Sequence, residues 1–319
     1  MKVLVTGRLP EGVLDLIRKE HELEFNSGDH PMPRDELLRR IHNKVGLLSM
    51  ITDRIDGELF DYAPHLKVVA NYAVGFNNID LNEARARGIW ITNTPGVLDD
   101  ATADLTFALI LATARQVVSM DRLTRAGEFK HYGPMLFLGT EVSGKTLGIV
   151  GLGNIGRAVA RRAAGFNMTV LYHNRRRTEP SVEQALKATY VSFEELLSRS
   201  DFVTLHVPLT EDTWHLIGPE QLRTMKRTAF LINASRGPVV DELALVEALQ
   251  AGIIAGAGLD VYEHEPALTP GLVDLENVVL LPHIGSATVE TRTRMAFLAA
   301  ENLLTGLRGQ TPPNCLTCG

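Results

Sequence analysis

Short apolar runs of strand length alternate along this chain with longer stretches in which apolar positions recur every three or four residues. The first hundred residues predict strands over 2–6, 23–26, 45–50, 66–71 and 89–92. Helices are predicted between them over 11–19, 34–41, 56–62 and 82–87, with Leu37 and Leu38 on the apolar side of the second and Pro64 closing the third. Such alternation predicts a parallel sheet with helices on both faces. Strands rich in Val, Leu and Ile, with little polar alternation, agree with burial on both sides. A longer apolar helix is predicted over 99–120, and the aperiodic stretch 127–144 reads as an arm or loop of a kind that often mediates subunit contacts. From Lys145 the alternation restarts, with a helix over 157–164 and strands over 147–150, 168–173, 190–191, 201–206, 229–233, 255–260 and 278–281. No low-complexity linker separates the halves.

One of these strands runs straight into a glycine-rich turn, Lys145-Thr-Leu-Gly-Ile-Val-Gly-Leu-Gly-Asn-Ile-Gly156. Gly151, Gly153 and Gly156 stand at G-x-G-x-x-G spacing between a strand and a helix, so Gly151 allows a tight turn, Gly153 a close backbone approach to a pyrophosphate, and Gly156 close helix packing. The helix start, with Asn154 and Ile155, then faces the phosphates of a dinucleotide. Where a NAD-binding unit places an acid for the ribose hydroxyls, this chain reads Asn174-Arg175-Arg176-Arg177. Guanidinium groups there favour NADP(H), with Asn174 and Arg175 and Arg176 as its ribose-phosphate contacts. Asn174 can also bond a free ribose hydroxyl, which keeps NAD(H) open as the second cofactor.

Composition narrows the class. With 319 residues, 45% of them apolar, the chain suits two soluble globular domains. A net charge of −6 argues against a nucleic-acid partner, which would require a broad basic face. The most apolar helix carries Asp104 and falls short of a membrane span, and Met1–Gly7 goes directly into a strand, so the expectation is no membrane partner and a cytoplasmic location. Cys315 and Cys318 form a solitary C-x-x-C, expected to be an incidental solvated tail with no disulfide framework, and no His and carboxylate cluster has metal spacing.

Candidate chemistry gathers at strand ends. The loops Asn71–Asp80 and Thr92–Gly96 follow two strands of the first half, and Gly75 would let amides point at an anionic group. In the second half Asn233–Asp241, Gly258–Pro266 and Leu281–Ala287 place Arg236, Glu265 and His283 on loops at the sheet edge that also carries the glycine turn. Arg236 suits a carboxylate and a polarised carbonyl, and His283 suits proton delivery with Glu265 fixing its tautomer.

With these motifs the chain resembles the D-isomer-specific 2-hydroxyacid dehydrogenase family over nearly its whole length. The Asn71-Tyr-Ala-Val-Gly75 form looks most like the glyoxylate and hydroxypyruvate reductases. The resemblance implies an α/β fold of two doubly wound parallel-sheet domains, with a Rossmann coenzyme domain (99–285) inserted in a flavodoxin-like substrate domain (1–98 and 286–319). It implies a homodimer and small 2-keto or 2-hydroxy acid substrates, with Val74 and Gly75 joining Arg236 and His283 on the substrate. It also places cofactor contacts at Thr102, His206, Val207, Pro208, Ala234, Ser235, Asp260, His283 and Gly285, with Asp260 and Ala234 at the nicotinamide carboxamide and His206–Pro208 on the adenosine side. The alternatives are a D-lactate-type, phosphoglycerate or phosphite dehydrogenase, or a dinucleotide-sensing corepressor of the same fold.

Overall fold

The computed structural model describes residues 1–318. In chain order its elements are β1 (Lys2–Val5), α1 (Glu11–Arg18), β2 (Glu22–Phe25), α2 (Arg34–Ile41), β3 (Gly46–Met50), α3 (Gly57–Tyr62), β4 (Val68–Tyr72), α4 (Leu81–Ala86) and β5 (Trp90–Thr92). There follow α5 (Asp99–Ala114), α6 (Val117–Arg125), β6 (Thr146–Val150), α7 (Asn154–Ala163), β7 (Thr169–His173), α8 (Pro180–Leu186), β8 (Ala188–Tyr190), α9 (Phe193–Arg199) and β9 (Phe202–Leu205). The remainder is α10 (Pro219–Thr224), β10 (Phe230–Asn233), α11 (Glu242–Gln250), β11 (Gly256–Leu259), β12 (Val278–Leu280) and α12 (Val289–Leu307). These elements form two compact units, Met1–Leu98 with the chain from Ala287 onward, and Asp99–Ser286.

The first unit is built on a parallel sheet of order β2-β1-β3-β4-β5. Side chains alternate across it, as the pleat requires. Val3 and Val5 face one side, where they are buried with Val13, Ile17, Ala299 and Leu303 from α1 and α12. Leu4 and Leu47 face the other, with Leu37, Ile41 and Leu59 from α2 and α3. Both faces are covered, which is why the strand sequences carry no polar alternation.

The expectation of a free, solvated tail is overturned. Past α12 the chain returns to β5, where Cys315 pairs antiparallel with Thr92 and Leu316 N donates to Ile91 O at 2.7 Å. Thr317 Oγ1 accepts from Ile91 N and donates to Ile89 O, both at 3.0 Å. A disulfide joins Cys315 to Cys318. The physical reason is the open edge of β5, whose unpaired amides and carbonyls recruit a partner segment.

The second unit contains a seven-stranded parallel sheet of order β12-β11-β10-β9-β6-β7-β8. The strand order reverses between β6 and β9, the point at which an open α/β sheet presents a ligand crevice at its carboxyl edge. Two apolar layers fill its faces, one around Leu196, Val203, Leu231 and Leu245, the other around Ile110, Ile149, Ala158 and Phe202. The single helix expected over 99–120 is two helices bent by 62°. Gln116 takes a left-handed φ of 54° and ends the run. The arm closes the break, since Thr140 N donates to Ala114 O at 2.7 Å, satisfying a carbonyl that the helix end leaves open, and Gln116 Nε2 donates to Leu138 O at 3.0 Å. Among the described residues no single helix is long and apolar enough to cross a membrane.

Candidate active site

The glycine turn joins β6 to α7. Gly151 has φ 100° and a Cβ on it would lie 2.6 Å from the His206 carbonyl oxygen, while a Cβ on Gly156 would lie 2.1 Å from the Gly151 carbonyl oxygen. Both positions exclude any side chain. Gly153 differs, for a Cβ there would meet no atom of the chain. Its bareness answers to no neighbour within the protein and suits a phosphate brought against the backbone. Gly153 caps α7 without a side-chain bond, which leaves the first-turn amides of Asn154 and Ile155 facing outward from the helix start. A dinucleotide pyrophosphate fits this donor set.

Asn174, at the end of β7, accepts Leu152 N at 2.6 Å through Oδ1, so it pins the glycine turn. Arg157 links the same turn, Leu152 O at 3.3 Å, to Thr178 Oγ1 at 3.2 Å. The three guanidinium groups behind Asn174 separate. Arg177 is held by Glu183 in two bonds of 2.8 Å and lies over the Tyr190 ring. Arg176 is exposed, and Arg175, 85% exposed, only touches Asp212 at 3.4 Å. His206, next along this edge with Val207 and Pro208, bonds Thr204 Oγ1 at 2.9 Å, and burial pulls its imidazole down to about 3, so it stays neutral.

The ends of β10, β11 and β12 carry the remaining groups. Asn233 is buried at the end of β10, where its side chain donates to Arg236 O at 3.0 Å and accepts from Ser235 N and Oγ at 3.0 and 2.8 Å. The loop Ala234–Arg236 is thereby fixed. Arg236 donates to Ser235 O at 2.6 Å, and burial lowers its affinity for its proton while the charge of Glu265 works to raise it. Glu265 Oε1 accepts Tyr262 N at 2.9 Å and Oε2 bonds His283 Nδ1 at 2.8 Å. Burial pushes the Glu265 carboxyl up, but its bond to His283 and that residue's charge, helped by the Tyr262 amide and Arg236, outweigh burial and hold it below the usual glutamate range.

His283 occupies the left-handed region at φ 54°. The two amides after it, Ile284 N and Gly285 N, donate to the two oxygens of buried Asp260 at 2.7 and 2.8 Å, which holds the loop in that conformation. With Nδ1 engaged, Nε2 is the ring nitrogen left to face a ligand, and the His283 and Glu265 side chains are 36% and 35% exposed. Thr102, near the start of α5, completes this edge, since a Cβ on Gly285 would lie 3.5 Å from its hydroxyl oxygen.

Val74 and Gly75 belong to the other unit, in the loop after β4. Their carbonyls are tied back, Val74 O to Asn93 Nδ2 at 2.8 Å and Gly75 O to Asn71 Nδ2 at 2.9 Å. Such anchoring fixes the backbone of the loop.

Sequence reasoning passed over the groups that hold the Glu265 loop. Buried Glu242 accepts Glu263 N at 2.8 Å and the Thr269 hydroxyl at 2.5 Å, and His215 Nε2 bonds Glu263 Oε1 at 2.8 Å. His215 reads as merely structural along the sequence, for its partner stands 48 residues away. Among the described residues no group of three or more His, Cys, Asp and Glu residues is arranged to hold a metal ion.

Residues 107–285 match the model of the D-isomer specific 2-hydroxyacid dehydrogenase NAD binding domain. The chain is 54% identical over 316 residues to a glyoxylate reductase of Korarchaeum cryptofilum, covering 98% of this chain and 95% of that one. It is 51% identical over 317 residues to a glyoxylate reductase of Thermococcus litoralis, covering 98% and 96%. Among solved structures, an NADPH-dependent glyoxylate/hydroxypyruvate reductase from Sinorhizobium meliloti, in complex with NADP and malonate, superposes with a TM-score of 0.87 at 33% identity, covering 99% of this chain and 96% of that one.

Proposed function

The chain belongs to the D-isomer-specific 2-hydroxyacid dehydrogenase family, and from that premise we propose that it reduces small 2-keto acids, glyoxylate to glycolate first and hydroxypyruvate to D-glycerate second, with NADPH preferred over NADH. The observation that carries this reading is the 2.8 Å bond from His283 to Glu265 on the same sheet edge as Arg236. When bound at the glycine turn, a reduced nicotinamide supplies the hydride. His283 donates a proton from Nε2 to the developing alkoxide, and Glu265 holds the ring by Nδ1 so that Nε2 carries it. Arg236 grips the substrate carboxylate with its planar fork and polarises the adjacent carbonyl. In the other unit, the amides of Val74 and Gly75 are donors for an anionic substrate group. On this reading the unit 99–286 is the coenzyme domain and the other unit binds substrate. Supporting the choice of NADPH are the exposed Arg175 and Arg176, which carry positive charge at the ribose end of the cradle.

The arm supports a homodimer. Phe129, Tyr132, Met135, Phe137 and Leu138 are exposed, Tyr132 by 86% and Met135 by 78%, a concentration of apolar surface that marks an interface.

Initial rates of NADPH and NADH oxidation with glyoxylate, hydroxypyruvate, pyruvate and phenylpyruvate test the reaction. Turnover of the first two with NADPH is expected. Tight dinucleotide binding without turnover of any keto acid would reject it in favour of phosphite oxidation or a sensor.

A further inference from the structure

We infer that Cys315 and Cys318 form a thiol–disulfide exchange site whose oxidation state controls how the segment after α12 grips the edge of β5. The two cysteines are joined, with Cα atoms 5.6 Å apart. An extended run of the same length spans roughly 10 Å. Closing the bond therefore selects a turn, and within that turn lie the groups that pair with β5, Leu316 N on Ile91 O and Thr317 Oγ1 between Ile91 N and Ile89 O. Pairing and bond closure reinforce each other, so a change in one shifts the other. Both cysteines are only half-buried, within reach of a small thiol.

The grip has a consequence further along β5. Asn93, just past the strand, donates its amide to Asn314 O at 3.3 Å. Asn302 on α12 bridges the two, with Nδ2 on Asn93 O at 3.0 Å and Oδ1 accepting Asn314 N and Nδ2 at 3.3 and 3.2 Å. The Asn93 side chain in turn holds Val74 O at 2.8 Å. The cysteine pair is thus joined through Asn314 and Asn93 to the Val74–Gly75 loop. An effect on substrate affinity rests on the proposed role of that loop, whereas the exchange chemistry does not.

The reaction balances with a small-molecule disulfide as oxidant. One cysteine thiolate attacks it, releasing one small thiol and forming a mixed disulfide, and the second cysteine displaces the other small thiol. Two protein thiols are oxidised and one small disulfide is reduced to two thiols. A dithiol drives the reverse.

The full chain, treated with dithiothreitol or with glutathione disulfide, is assayed for maleimide-reactive thiols, for amide hydrogen exchange, and for KM of glyoxylate and NADPH. Reduction is expected to expose two thiols and to speed exchange in peptides spanning 88–93 and 312–318 about tenfold, with other peptides unchanged. KM for glyoxylate should rise roughly threefold with KM for NADPH unmoved. The double variant C315S/C318S should behave as the reduced protein under both treatments. Thiols that never close under glutathione disulfide, or exchange in the two peptides that is blind to reduction, would overturn the inference. Absence of glyoxylate turnover in both states, with the exchange response intact, would instead reject the proposed activity and leave the redox site standing.

Discussion

Glu265 engages both carboxylate oxygens, one on its own loop at Tyr262 N and one on His283, so it orients the ring and is itself fixed. Its carboxyl is held below the ordinary glutamate value of 4.5, so it remains ionised as pH falls through that value. The acid limb of kcat/KM for keto-acid reduction should accordingly lie below pH 4.5, and an acid limb above it that disappears in Glu265→Gln would contradict this. Glu265→Gln itself should lower kcat about 100-fold with NADPH binding retained. Arg236→Ala should abolish glyoxylate turnover while fluorescence titration still reports NADPH binding. Replacing Arg175 and Arg176 with neutral residues should raise Kd for NADPH more than for NADH, and equal losses would remove the 2′-phosphate assignment. His206 sets a stability effect of the same sign as Glu265, in a higher pH window. In the unfolded chain its ring protonates near its ordinary value of 6.5, in the folded protein only near about 3, so the unfolded state takes up the proton first and folding stability falls as pH drops between them. His206→Asn should flatten that part of the pH dependence in urea unfolding, provided the Thr204 bond is kept.

At the scale of elements, the βα alternation and the glycine turn were legible because each rests on local chemistry. A buried strand needs an apolar run, and the turn needs residues without a side chain at Gly151 and Gly156. Gly156→Ala should therefore cost roughly 1–3 kcal/mol of stability and weaken dinucleotide binding, read by calorimetry. Gly237→Ala is expected to be more damaging to catalysis, since its Cβ would fall 1.9 Å from the Tyr262 carbonyl and displace the loop that carries Glu265. What could not be read depends on distant partners. Nothing local marks Gln116 as the end of α5, because the bonds that make the break come from Leu138 and Thr140 on the arm. The pairing of 315–317 with β5 was hidden for the same reason, with one apolar residue, Leu316, and a Thr317 hydroxyl as its main anchors.

For the whole molecule, the strand-end places of Arg236, Glu265 and His283 were legible in the sequence, while Asn233, Asp260 and Glu242 act in the structure as supports that no periodicity singles out. For the proposed homodimer, Phe137→Asp on the exposed arm should leave only monomer in light scattering without altering the fold of the monomer. α12, whose Ala296, Ala299 and Leu303 cover the sheet face beside Val3 and Val68, is the partner of strands made more than two hundred residues earlier. On a ribosome the strands β1–β5 must wait, with that face bare, while the entire second unit emerges and can fold first. A released chain truncated before Val289 should therefore present a protease-resistant 99–286 fragment and a digestible amino-terminal hundred, and the early unit should become resistant only in chains that extend through α12.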